Sequence, residues 1–330
     1  MHAVNLIWQY ESAAERDWIR FLLNDFAITE FADYSYQNIM EDSIVVTSSR
    51  RNVPRSYIEQ AARTKRCILY HISDESFHGR YDDYLAFDFV FRNDWSSAFE
   101  LKGVKVLPLG YTAGSEAHGP TPRATDRQYA WSFVGAPKAS RPDALRALRA
   151  VEPRFVHLTD AAPALDRQSY LGVMRDSAFC PCPMGNVHLE TFRLYEALEA
   201  GCIPIVERRP TMNYYERMLP GFRPPTVRSW SEACTLIMRL LRDPAALNDK
   251  QQEIADWWHI EKLRWRAEVR RIIMDTFFSG KESRKLSRVI KPIARLPGWR
   301  QLELLRHQSL SSALWRAKLE FVRLFTPNPC

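Results

Sequence analysis

Glycine is scarce in this chain, 12 among 330 residues, and none falls in a G-x-G-x-x-G or G-x-x-x-x-G-K-[ST] pattern. Those turns need glycine so that backbone N–H groups can approach phosphate. Their absence disfavours a dinucleotide dehydrogenase and a P-loop NTPase. There is no H-E-x-x-H and no G-x-S-x-G, which removes the common zinc protease and α/β-hydrolase signatures. A D-x-D pair, the commonest device for holding a divalent ion on a diphosphate, is also missing. Cysteine is sparse: Cys67, Cys180, Cys182, Cys202, Cys234 and Cys330 form no C-x-x-C pair, and reduced thiols of a cytoplasmic protein are the simplest reading. Cys180-Pro-Cys182 is a redox or metal pair or, with no second pair at ligand spacing, two small buried residues. No apolar run approaches the roughly 18 residues of a spanning helix, and the first residues lack the charged-then-apolar pattern of a signal peptide.

What is present is ordinary for a globular chain: 46% hydrophobic and 26% charged residues, a balance that excludes extended disorder. The net charge is +7, but residues 281–330 alone hold 11 Lys and Arg against 3 Asp and Glu. The rest is close to neutral, so the charge speaks for a basic tail and not for a nucleic-acid-binding body.

Short apolar segments alternate with helical ones. Residues 4–8, 43–47, 67–71, 87–91 and 104–109 read as strands, with helices at 13–23 and 55–63. A polar Gly/Pro/Thr stretch at 114–127 reads as a linker. Beyond it come strands at 131–134, 154–158, 178–180 and 203–206, and helices at 142–151, 191–200, 230–242 and 247–278. The pattern predicts an α/β protein of two Rossmann-like domains facing a cleft, 1–120 and 121–280, followed by a basic amphipathic tail, 281–330.

The densest chemistry lies in 177–206, SAFCPCPMGNVHLETFRLYEALEAGCIPIV. A strand ends in a loop with Gly185 and Asn186, and the next helix begins with Glu190, Arg193 and Glu196 at i, i+3 and i+6. A helix start favours phosphate, and an arginine fork suits a diphosphate. A carboxylate beside them can accept both hydroxyl protons of a ribose. Spacing alone leaves an ordinary βαβ crossover with solvated charges equally open.

The segment resembles the signature of the exostosin-like glycosyltransferases, S-x-F-C-L-x-P-x-G followed by W/F-R-x-x-E-A-L-x-A-G-C-I-P-V. Ser177, Phe179, Cys180, Pro183, Gly185, Phe192, Arg193, Glu196, Gly201, Cys202 and Pro204 carry the match. Similarity extends upstream through 90–95, 108–111 and 131–135, in the manner of the branch that includes the ribitol xylosyltransferase, and covers about 65–275. The resemblance implies a GT-B architecture and an inverting transfer from a nucleoside-diphosphate sugar. Carried over, Glu196 contacts the ribose, and Arg193 contacts the diphosphate with help from Lys138 and Arg141. His188 and Glu190 stand where many members have small polar residues.

An inverting transfer requires a general base, expected in the first domain, and the loop after residues 67–71 is the place to look because ligand crevices border strand C-terminal ends. Asp74 and Glu75 are the base candidates; His71, Arg92 and Asp94 are candidates for acceptor or sugar contact. The missing D-x-D suggests that no metal cofactor is needed and that arginine and helix N–H groups stabilise the leaving diphosphate. The tail has apolar stripes, Leu286, Val289, Ile290 and Leu296, then Leu302, Leu305, Trp315, Leu319, Val322 and Phe325. They suit a membrane surface, the protein's own domain or a partner. The expected function is sugar transfer to a glycan or lipid-linked acceptor in cell-surface polysaccharide synthesis, on the cytoplasmic face of a membrane. The alternatives are a sugar- or nucleotide-binding protein without turnover and, third, a nucleic-acid binder.

Overall fold

The structure, a computed structural model, describes all residues except 12, 50–51, 117–118, 211, 289 and 309–330. The chain forms two compact units, one of Met1–Leu109 with Ile260–Glu303 and the other of Gly110–His259 with the segment from Leu304 onward.

The first unit is a six-stranded parallel sheet. Its elements are β1 (Ala3–Trp8), α1 (Arg16–Leu22), β2 (Ala27–Ala32), β3 (Ser43–Ser48), α2 (Arg55–Arg63), β4 (Cys67–Ile72), β5 (Phe89–Arg92) and β6 (Val104–Val106). The strand order is β2-β1-β3-β4-β5-β6, and every pairing is parallel. Every residue of β3 and β4 is buried, as expected for strands covered on both faces. β2 escapes a sequence reading because it is an edge strand, AITEFA, with nearly all its residues exposed and no apolar run.

The second unit repeats the scheme with five strands. It contains β7 (Tyr129–Val134), α3 (Arg141–Leu148), β8 (Arg154–His157), α4 (Arg167–Arg175), β9 (Ser177–Cys182), α5 (Phe192–Glu199), β10 (Ile203–Glu207), α6 (Tyr214–Met218), β11 (Thr226–Val227) and α7 (Trp230–Leu241). The order β11-β10-β9-β7-β8 is again all parallel. Arg127, in the stretch read as a linker, donates to the carbonyls of Ser177, Ala200 and Gly201 at 2.9, 3.1 and 2.8 Å. That stretch is therefore fastened to the second sheet.

The long helix α8 (Pro244–Phe277) belongs to the second unit up to residue 259 and to the first from Ile260. The expected separate tail is corrected here, because 281–303 is part of the first unit. Leu286 N–H donates to Phe87 O at 3.0 Å, and Lys291 N–H to Ala98 O at 2.9 Å. Lys285 pairs with Asp88 at 2.8 Å, and Arg300 donates to Ser76 O at 2.7 Å. Lys285, Lys291, Arg295 and Arg300 of this strap meet acceptors of their own unit. It ends in α9 (Trp299–His307). The rest of the tail's apolar pattern, Trp315, Leu319, Val322 and Phe325, lies with Val289 outside the described residues.

Candidate functional site

In the first unit, register pairs His71 of β4 with Arg92 of β5. Arg92 is fully buried: it donates to Asn93 O at 2.9 Å and Tyr84 Oη at 3.3 Å, pairs with Asp74 at 3.2 Å, and lies 3.6 Å over the Phe99 ring. Such a side chain has no exposed donor for an acceptor or a sugar, which corrects the expectation for Arg92. Asp74 is equally committed. One oxygen accepts from the N–H groups of His78 and Gly79 at 2.8 and 3.1 Å, and the other from Tyr81 Oη and Arg92. Arg92, with those hydrogen bonds, outweighs burial and holds the carboxyl below the usual carboxylate range. Asp74 thus anchors a turn in which Ser73 and Phe77 take left-handed backbone, and both oxygens of this base candidate are engaged within the fold. Glu75 is half-buried on the same loop, and Asp94 is buried with φ 60°. His71 is buried, with Nδ1 2.5 Å from Tyr84 Oη, and burial pushes its pKa down to about 4.

In the second unit the candidates gather at the C-terminal edge of β7 and β9. Arg193, in the first turn of α5, is 8% exposed. Its Nη2 donates to Val134 O and its guanidinium stacks 4.4 Å over the Phe133 ring. Its Nε is buried with no partner, and among the described residues it has no ion pair. Gly135, with φ 142°, sits where a Cβ would stand 3.0 Å from Arg193 Nη2 and 3.8 Å from Arg141 Nη1. The missing side chain leaves both guanidiniums room beside the strand end. Arg141 donates to Ala136 O at 3.1 Å, and Lys138 is half-buried on the same loop. Gly185 N–H is closed onto His188 O at 3.0 Å, and Asn186 is exposed.

The carboxylates are more enclosed than their spacing suggests. Glu196 accepts from Thr112 Oγ1, from Arg167 Nη1 at 3.0 Å and from Tyr170 Oη at 2.6 Å. A ribose hydroxyl would have to displace one of these donors. Glu190 is buried between Tyr195 Oη and Tyr214 Oη, which corrects its expected contact with ligand. Sequence reasoning also missed a neighbouring cluster. Glu207 accepts from Ser140 Oγ and Met184 N–H and pairs with Arg209 at 2.5 Å. The signal was available: a carboxylate ending the strand IPIVE and an arginine two residues on. The thiols of Cys180, Cys182 and Cys202 are buried in the sheet. Among the described residues no group of three or more His, Cys, Asp or Glu side chains is placed to hold a metal ion.

Two parallel Rossmann-like units in one chain are the architecture of the GT-B type of α/β fold, which this chain shares with solved glycosyltransferase structures. A crystal structure of the DNA-modifying enzyme β-glucosyltransferase, studied with and without uridine diphosphoglucose, is similar with a TM-score of 0.50 and 10% identity, over 82% of this chain and 99% of that one. WaaG, a glycosyltransferase involved in lipopolysaccharide biosynthesis, gives 0.47 and 10% over 85% and 100%. Anabaena HepE in complex with UDP gives 0.46 and 11% over 83% and 100%. More particularly, residues 92–220 match the family model of the exostosin GT47 domain. No curated protein matches the chain.

Proposed function

We propose that the chain is a glycosyltransferase of the exostosin-like kind, moving a sugar from a nucleoside-diphosphate sugar to a hydroxyl of a glycan or lipid-linked acceptor. One observation carries the reading. Arg193 is a buried guanidinium with no carboxylate partner among the described residues, at a parallel sheet's C-terminal edge and inside the matched segment. Burial disfavours the cation, while Tyr170, the nearby thiols and Glu196 keep it charged without an ion pair, so a diphosphate can add the direct charge-assisted bonds that the fold does not make. Lys138, Arg141 and the start of α5 add further positive potential there.

In the reaction the bond from the anomeric carbon to the diphosphate oxygen breaks as the acceptor oxygen bonds to that carbon. The electron pair leaves with the diphosphate, where Arg193 and Arg141 stabilise it. The acceptor proton goes to a base, for which Glu75 is our assignment now that Asp74 is committed to Arg92. Direct displacement inverts the anomeric centre, and the transferred sugar is a hexose or a pentose. We assign no metal to this chemistry, and Glu196 to the ribose in exchange for Tyr170 or Thr112. The remainder of the proposal is a role in surface-polysaccharide synthesis on the cytoplasmic side of a membrane. The basic contact there is assigned to residues 281–330 as a whole.

The test is a thermal-shift series with UDP, GDP and ADP. A ligand that binds only the folded chain raises Tm, by about 2.7 kcal/mol of stabilisation at a hundred times its Kd. UDP comes first because the β-glucosyltransferase of similar fold was studied with uridine diphosphoglucose. Stabilisation that disappears in Arg193→Ala is expected, and no response to any nucleoside diphosphate rejects the reading.

A further inference from the structure

The first unit contains a cavity that none of the chemistry above uses. It opens at the C-terminal ends of β1, β3 and β4, has a volume of about 70 Å³, and is lined by Gln9, Thr47, His71, Gly79, Tyr84 and Phe87, among others. At about 30 Å³ per water, that is room for roughly two water molecules.

Among the described residues its wall is largely polar, and its one arginine and one aspartate pair with each other. Thr47 is 7% exposed, and its Oγ1 is buried without a hydrogen-bond partner. Leaving such a hydroxyl unmet costs about 1–3 kcal/mol, so a site keeps one where something else meets it. His71 contributes a donor whose tautomer is set by a relay. Arg92 donates to Tyr84 Oη, which is then best satisfied by giving its own proton to His71 Nδ1. That leaves Nε2 carrying hydrogen, with no partner for it among the described residues. Burial keeps the imidazole neutral, its pKa near 4. The two ions on the rim, Arg80 and Asp83, pair with each other at 2.8 Å. Apolar surface from Leu69, Tyr84 and Phe87 completes the lining.

The space is also kept clear. A Cβ at Gly79 would stand 2.8 Å from His71 Cε1 and 2.8 Å from Tyr81 Cε1. Any larger residue there would push on the imidazole.

We propose that this cavity is a subsite for an uncharged, hydroxyl-bearing sugar edge of the acceptor. His71 Nε2–H donates to one ligand oxygen, Thr47 Oγ1 meets a neighbouring hydroxyl, and the C–H face of the ring lies on the apolar wall. Among the described lining residues the one guanidinium, Arg80, is already paired with Asp83. This rests on the glycosyltransferase reading but concerns a different unit and a different ligand.

The test uses the full chain and saturation-transfer NMR with uncharged methyl glycosides (glucoside, galactoside, xyloside and N-acetylglucosaminide), with glucuronate and inorganic phosphate as charged probes. UDP binding is read on the same samples. Saturation transfer to at least one neutral glycoside is expected, with none to the charged probes. Thr47→Val, nearly isosteric, should weaken that binding about tenfold, and Gly79→Ala should abolish it. If UDP binds but no neutral glycoside does, the subsite is wrong while the donor reading survives. Glycoside binding that is unchanged in both variants likewise overturns the subsite. If a glycoside binds in a Thr47-dependent way and no nucleotide does, the glycosyltransferase reading falls, and with it the acceptor role of the cavity, which then stands only as a neutral-sugar site.

Discussion

Each unit buries one arginine against an aromatic ring at the C-terminal edge of its sheet, and the two have opposite fates. Arg92 lies 3.6 Å over Phe99 and has Asp74 at 3.2 Å; its charge is answered within the fold. Arg193 lies 4.4 Å over Phe133 and donates to the Val134 carbonyl, and among the described residues it has no ion pair, Glu196 acting on it only at longer range. Burial is therefore a poor guide to role when it stands alone. What separates the two is an ion pair: Asp74 meets Arg92 directly, and among the described residues no carboxylate meets Arg193 in that way.

The largest expected effect comes from breaking the answered pair. Arg92→Met leaves Asp74 as a buried uncompensated carboxylate and should cost about 3–5 kcal/mol in urea unfolding. Adding Asp74→Asn should recover part of that loss, and a loss below about 1 kcal/mol for the single variant would break the contrast. Arg193→Ala should do the reverse. Unfolding free energy should hardly change, while transfer from the nucleotide sugar falls about 10²–10³-fold in kcat/KM, as for removal of an oxyanion donor.

A pH series sharpens the first half. His71 titrates near 4 in the fold and near its ordinary 6.5 when unfolded. The unfolded chain thus takes the proton first, and this contribution is complete above about pH 6.5 and lost as pH falls towards 4, up to about 3 kcal/mol. Asp74, held below the ordinary carboxylate range, adds a loss of the same sign at still lower pH. Comparing urea midpoints of the native chain and His71→Gln between pH 7 and 4 should show a flatter profile in the variant.

Lys285→Met tests whether the strap's charges are met by its own unit. Losing the bond to Asp88 should cost about 1–2 kcal/mol in Tm-derived stability, and no change would return Lys285 to the solvent. The smallest effect is expected from EDTA, which should leave turnover unchanged if Arg193 and Arg141 alone answer the diphosphate. A collapse restored by Mn²⁺ would overturn that.

Much of the architecture was legible because it follows from local pattern. Residues 55–63 and 67–71 read correctly from a helical face and an apolar run, and the structure has α2 at Arg55–Arg63 and β4 at Cys67–Ile72. β2 and β11 were not legible, since an exposed edge strand and a two-residue strand carry no periodicity. The segment containing Arg193, Glu196 and Gly185 announced itself through its dense chemistry. The misreadings share one cause. Asp74, Arg92 and Glu190 are chemically suited to a site, yet each meets partners distant in sequence, and no spacing rule shows Arg92 beside Asp74 or Tyr214 beside Glu190.

The sequence by itself determined the α/β alternation, the absence of glycine-rich phosphate loops and the chemistry available after residue 177, because these depend on neighbours along the chain. It also concentrated the positive charge in residues 281–330. Only the tertiary structure decided which charges were already neutralised. Parallel pairing sets strands β4 and β5 side by side, where Arg92 meets Asp74, and the chain rejoins the first unit from Ile260, so Lys285 meets Asp88. A charge is spent or available according to what lies within a few ångströms in space, and the chain order does not contain that distance.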